Sequence, residues 1–216
     1  MEYYTTTSRK GREQIDYYNP ETNTLDIRSN GMYPSGVLSN LCSNGFRFDG
    51  MICSSMEGFL QSLKHRDLDK QRQLCQMKGG NARKRSVSSW QTDQIVWWRG
   101  EPIDRQGNAY QVLLRRAYQA MFDQNERFRA ALMTTRGITL VHSTGETDPY
   151  KTILTPQEFC DVLTEIRDNY DQRDKHIDRP KHVFQDADGQ WYELRPLPSD
   201  FTPSSNDIVI QLPSSK

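Results

Sequence analysis

Three stretches of this chain carry the same apolar spacing, and that spacing limits the folds open to it. Met56, Phe59, Leu60 and Leu63 recur at i, i+3, i+4 and i+7, as do Phe159, Val162, Leu163 and Ile166. Leu113, Leu114, Ala117, Tyr118 and Met121 form another stripe between them. A stripe at the 3.6-residue period is one helix face that must be covered by a core. Short β-rich runs lie around these helices: Phe46-Arg47-Phe48, Met51-Ile52-Cys53 and Ile138-Thr139-Leu140-Val141-His142. The expectation is an α+β fold, a mostly helical single domain with a small antiparallel sheet, plus a C-terminal hairpin and tail.

The first stripe also carries a polar row. Ser54 followed by Glu57 reads as an S-x-x-E capping box opening the helix. At 100° per residue Glu57, Gln61 and Lys64 fall within about 60° of one another, so an acid, an amide and a base share one face. Pattern alone favours a capping glutamate with a solvated flank over an active site. The helix is expected to run past Leu68 to Met77, with a break near Asp67–Asp69, and to stop at Gly79-Gly80. The basic segment Asn81-Ala82-Arg83-Lys84-Arg85-Ser86 then reads either as a phosphate-gripping loop or as a solvated cationic turn. Its spacing is neither G-x-G-x-x-G nor G-x-x-x-x-G-K-[ST], which excludes a dinucleotide fingerprint and a P-loop.

Further along, Trp97 and Trp98 make the most aromatic spot in the chain; one can pack while the other lines a pocket. Glu101 to Asn108 reads as a loop, and Asn125 as the cap of a short helix. The strand over 138–142 delivers an acidic loop, Ser143 to Pro149, containing Asp148. Thr155-Pro156-Gln157-Glu158 is a second capping box with proline at the first helical position.

Composition bounds the rest. The 216 residues suffice for one domain, but 35% hydrophobic content and a mean hydropathy of −0.84 leave part of the length exposed. The boundary is expected at residue 170: a domain over 1–170, then a charged linker, a hairpin about Asp188-Gly189 and a polar tail over 171–216. Lys+Arg and Asp+Glu both total 28, so net charge draws the chain to neither nucleic acid nor membrane. Cys42, Cys53, Cys75 and Cys160 form no C-x-x-C pair and have no histidine at ligand spacing. They read as reduced thiols of a cytosolic protein, with no metal site. The run from Asp186 lacks the spacing of a calcium loop. No apolar run is long enough to span a bilayer and the N-terminus lacks a signal h-region, so a cytoplasmic location is expected.

Taken in order, Leu38-Ser39-Asn40-Leu41, Phe48-Asp49-Gly50 and Ser55-x-Glu57-x-Phe59-x-Gln61-x-x-Lys64 resemble the pattern of the NADAR superfamily, which includes the YbiA-like N-glycosidases. The resemblance covers about residues 31–170 and takes in Val141-His142-x-Thr144 and Asp148. It departs after Asp148, where Pro149-Tyr150-Lys151 stands in place of the family's Trp-Gly. That departure marks either a subfamily with its own ligand or a member that binds without turnover.

The resemblance implies an N-glycosidase acting on an ADP-ribosyl or ribosyl-phosphate compound, without a cofactor. ADP-ribosylated guanine and a riboflavin-pathway intermediate are the substrate types implied. The alternative is a non-catalytic module binding ADP-ribose or a nucleotide; a nucleic-acid-associated protein is a third. In the first reading Glu57, Lys64 and Asp148 are catalytic. Glu57 supports positive charge on the sugar or activates water, Lys64 grips phosphate or attacks the opened sugar, and Asp148 is the second acid. Gln61 orients the sugar hydroxyls, Asn40 contacts the ribose or the base, Trp97 or Trp98 stacks on the base, and Arg83 and Lys84 receive phosphate.

Overall fold

The structure is a computed structural model that describes residues 5–7, 13–170, 183–185 and 191–193, with side-chain environments over 15–170. The chain divides into two units, Met1–Tyr170 and Asp171–Lys216. In the first, strands β1 (Thr5–Thr7) and β2 (Glu13–Ile15) pair antiparallel. Strands β3 (Tyr18–Asn19) and β4 (Thr24–Asp26) form a hairpin. A single helical turn, α1 (Ser35–Leu38), follows where the Pro34-Ser35-Gly36 sequence suggested a loop.

Strands β5 (Phe46–Phe48) and β6 (Met51–Cys53) pair as expected. Their connection, Asp49 and Gly50, has φ of 46° and 81°, the two left-handed positions of the tight turn that Asp-Gly favours. Three helices come next: α2 (Met56–Ser62), α3 (Leu68–Cys75) and α4 (Gly79–Arg83). The expected long helix is therefore broken. Asp67 starts α3 by accepting the Lys70 N–H at 2.7 Å, so the break falls before the acids. Gly79-Gly80 opens α4 instead of ending a helix, and the basic run lies on α4 and the turn after it.

A 3-10 turn (Ser89–Gln91) leads to strands β7 (Ile95–Trp98) and β8 (Glu101–Asp104), which pair antiparallel. The sequence reading had Glu101–Asn108 as loop. Pro102 lowers strand propensity, and the signal missed was the turn: Arg99 and Gly100 have φ of 55° and 86°. Helices α5 (Asn108–Gln124) and α6 (Glu126–Met133) follow, α6 capped by the Asn125 side chain at 3.0 Å from the Phe128 N–H. Strand β9 (Thr139–Val141) joins β4 in parallel, so this three-stranded sheet, β3-β4-β9, is mixed where an antiparallel one was expected. Helix α7 (Pro156–Asp168) opens on the complete Thr155/Glu158 capping box. In the second unit β10 (Val183–Gln185) pairs antiparallel with β11 (Trp191–Glu193), the strands expected to flank Asp188-Gly189.

The core lies where the stripes meet. Leu113, Leu114, Ala117, Tyr118 and Met121 of α5, Phe59, Leu60 and Leu63 of α2, and Phe159, Val162, Leu163 and Ile166 of α7 are all buried in one cluster. Phe48 stacks on Trp98 at 5.5 Å between centroids, with Phe59 edge-on to both. Two tight joints hold the helices against this core. A Cβ added at Gly58 would lie 2.7 and 2.9 Å from the carbonyl oxygens of Leu74 and Cys75, so α2 meets the end of α3 backbone to backbone. At the other joint Arg105, 1% exposed, gives two bonds to Glu158 (3.0 and 2.7 Å) and one to the Thr152 carbonyl. Glu158 accepts the Thr155 N–H and the Gln111 amide as well. One carboxylate thereby caps α7 and anchors the end of β8.

Two expectations follow from these joints. Gly58→Ala would force a methyl onto fixed carbonyls and destabilise by about 1–3 kcal/mol in urea denaturation. Gly80→Ala, with nothing within 4 Å of its added Cβ, would change stability by less than about 1 kcal/mol. Burial alone would raise the Glu158 carboxyl, but Arg105 and the N–H donors hold it below the ordinary glutamate range. A depressed folded-state value stabilises above the unfolded pKa of about 4.3 and is lost as pH falls through the folded one. Glu158→Gln would therefore lower Tm at neutral pH and make its decline on acidification shallower.

Candidate functional site

The polar row of α2 is built by its N-terminal turn. Ser55 is the N-cap: its Oγ accepts the Gly58 N–H at 3.1 Å and donates to the Met77 carbonyl at 3.0 Å. The cap expected at Ser54 is displaced by one residue, and Glu57 is thereby released from the capping box. The Glu57 N–H donates to the Asn40 carbonyl at 3.0 Å. Its carboxylate instead accepts from Gln61 Nε2 at 2.8 Å, one turn along.

Glu57 and Lys64 face each other electrostatically without closing an ion pair among the described residues. Lys64 Nζ donates to Ser86 Oγ at 2.7 Å, just beyond α4. Burial pushes the Glu57 carboxyl up, against the Gln61 N–H and the positive charges of Lys64 and Arg83. Burial likewise pushes the Lys64 ammonium down to about 8, opposed by the negative charge of Glu57. An acid moved up and a base moved down on one face is the arrangement that proton-transfer chemistry near neutral pH requires. Gln61 is 5% exposed, and its Oε1 has no partner among the described residues. At the head of the row, Tyr118, wholly buried, donates its hydroxyl to Asn40 Oδ1 at 2.8 Å. That bond leaves the Asn40 amide nitrogen without a partner among the described residues.

The comparisons bear on this geometry. The family model for bacteriophage protein GP30.3 matches residues 32–168. The chain belongs to that family. A relative from Enterobacteria phage T4, an uncharacterised 17.1 kDa protein of the Gp30–rIII intergenic region, is 38% identical over 149 residues, 67% of this chain and 97% of its own length. The NMR structure of the E. coli protein YbiA superposes with a TM-score of 0.50 at 19% identity, over 69% of this chain and 86% of that one. The fold of this GP30.3 family member is thus YbiA-like, and the resemblance to the NADAR superfamily holds.

Within this frame the residues expected in the site separate. Glu57 meets Asn40 through its backbone N–H and Gln61 through its carboxylate, and the charges of Lys64 and of Arg83 on α4 act on it. Lys84 is the exposed C-cap of α4, with no partner among the described residues. The structure corrects two other assignments. Trp98 belongs to the core, its indole N–H donating to Asp49 at 2.9 Å, so its ring is no free stacking wall. Asp148 sits on an exposed loop, where it accepts the Tyr150 N–H and pairs with Lys151 at 3.2 Å. That loop is moored to Gln91, Gln94 and Gln106, and no described contact of Asp148 reaches α2. Trp97 is half-buried beneath the Arg66 guanidinium (5.0 Å), its backbone N–H donating to the Leu63 carbonyl beside Lys64.

Two residues escaped the sequence reading. Tyr118 looked like part of an apolar stripe, although a tyrosine there signals a hydroxyl seeking a partner. Ser86 gave no signal. No helix among the described residues is long and apolar enough to cross a membrane.

Lys64 supplies the test of this electrostatic picture. After reductive 13C-methylation, one lysine resonance would titrate near pH 8. It would be missing in Lys64→Arg. In Glu57→Gln it would move lower still, since the carboxylate that favours the ammonium is gone.

Proposed function

We propose that the Asn40–Glu57–Gln61–Lys64 surface cleaves the N-glycosidic bond of an ADP-ribosyl or ribosyl-phosphate compound. The observation that carries this reading is Glu57: a carboxyl that neither caps its helix nor ion-pairs, raised by burial, beside an amine lowered to about 8. Breaking a C1–N bond puts positive charge on the sugar, which a carboxylate in a poorly hydrated place stabilises. Glu57 then takes a proton from the attacking water as its oxygen bonds to C1. The C1–N electron pair leaves with the base, whose nitrogen takes a proton. Lys64 is the proton donor we assign. At pH 7 an ammonium of pKa about 8 is still charged and acidic enough to give up its proton. Gln61 Oε1 and the Asn40 amide are a matched acceptor and donor for two ribose hydroxyls. Arg83 lies where a phosphate on that sugar finds a guanidinium. The substrate types remain those that the superfamily resemblance implies, ADP-ribosylated guanine among them, and the location we assign is cytoplasmic.

The departure from the family's Trp-Gly after Asp148 favours one second reading, a module that holds ADP-ribose without cleaving it. Release of free base from an N-ADP-ribosylated guanine nucleoside distinguishes the two. On the enzymatic reading Glu57→Gln lowers kcat at least about 100-fold and Lys64→Ala lowers it comparably. Activity would rise with pH as Glu57 ionises and fall again above about 8 as Lys64 loses its proton. Binding of ADP-ribose with no base released over a long incubation would leave the module reading in its place.

A further inference from the structure

The head of the row adjoins a cavity of about 600 Å³ that none of the motifs above accounts for. Leu41 and Cys42, the residues after Asn40, line one side of it. Gly80 of α4 lines another, while Arg83, one turn further along the same helix, acts on Glu57. A Cβ at Gly79 would lie 2.4 Å from Leu41 Cα, so α4 packs backbone to backbone on the segment that follows Asn40.

Two side chains give the cavity its chemistry. Arg127 is exposed and has no carboxylate partner among the described residues. Its charge is felt by the Cys42 thiol, where it opposes the upward push of burial. Tyr33 is 57% exposed, with no ring partner among the described residues. A free guanidinium recognises phosphate oxygens through paired N–H donors, and a free phenol ring stacks on a heteroaromatic base. The volume lies within the range of about 300–1,000 Å³ usual for small-ligand sites.

We infer that this cavity is a binding site for a nucleoside phosphate, with its base on Tyr33 and its phosphate on Arg127. The site holds the far end of a substrate whose ribosyl end lies on the α2 row. Placing the ribosyl end there rests on the proposed function; the cavity's own ligand does not. Such a site selects long, two-ended substrates over a bare ribosyl phosphate, and Tyr33 and Arg127 become the residues that determine this specificity.

AMP and ribose 5-phosphate are the probes, titrated calorimetrically into the full chain. AMP is expected to bind the wild type and Glu57→Gln equally, and to bind Tyr33→Ala and Arg127→Ala each about tenfold more weakly. Ribose 5-phosphate is expected to bind the wild type and Tyr33→Ala equally. Both altered residues are on the surface, so unchanged melting temperatures certify the fold. No AMP binding to the wild type, or equal AMP binding across all four proteins, overturns the site. If instead Glu57→Gln releases base at the wild-type rate, the glycosidase reading falls while the AMP results still decide the cavity.

Discussion

The site depends on a contact that permits no side chain. Gly58 lets the first turn of α2 press onto the carbonyl end of α3, with Leu74 and Cys75 oxygens where a methyl would otherwise stand. The Ser54 N–H donates to the Cys75 carbonyl at 2.8 Å, and Ser55 both caps α2 and reaches Met77. The end of one helix therefore satisfies the beginning of the other. Of the two residues between this cap and this glycine, Met56 is core and Glu57 is carried by the same joint into a poorly hydrated position with no capping duty left to perform. A larger residue at 58 would separate the helices and return Glu57 to water.

Burial without pairing gives the row its character. Two opposite charges that close into an ion pair would each be stabilised, and both would sit further from neutral pH. Here Lys64 is held by the neutral hydroxyl of Ser86, and Glu57 by the neutral amide of Gln61. Each charged group keeps its desolvation penalty, so the carboxyl rises and the amine falls. Arg105 and Glu158 show the opposite outcome in the same fold. Their two short bonds overcome burial and lower the carboxyl, which makes that pair a structural joint.

The motif residues accordingly do two kinds of work. Asp49 receives the Trp98 indole and the Arg116 guanidinium, at 2.9 and 2.6 Å, and so ties the β5–β6 turn to β7 and α5. Ser55 joins helices. Glu57 joins Asn40 through its backbone N–H and Gln61 through its carboxylate, with Lys64 acting on it through its charge. Asn40 is held there by a tyrosine from the interior of α5.

The sequence by itself determined the helix faces, because a 3.6-residue apolar period is a property of the chain that any core must satisfy. The stripes on α2, α5 and α7 are buried as that period requires, and the capping box at Thr155 forms as written. The Asp-Gly turn and the polar row of α2 were equally legible, since each depends on neighbours within one turn. The cap of α2, the break before α3, the helix opened by two glycines and the β8 strand depend on what packs against them. Ser54 was the cap expected, and Ser55, whose hydroxyl also reaches the Met77 carbonyl, takes that place. Trp97 and Trp98 are equivalent on the page, yet Asp49 claims one of them for the core. Asp148 lay in the right order along the chain, but its own bonds are to Tyr150 and Lys151, on a loop moored to three glutamines. Tertiary structure decided these points because long-range hydrogen bonds and close packing join residues whose separation in sequence carries no period.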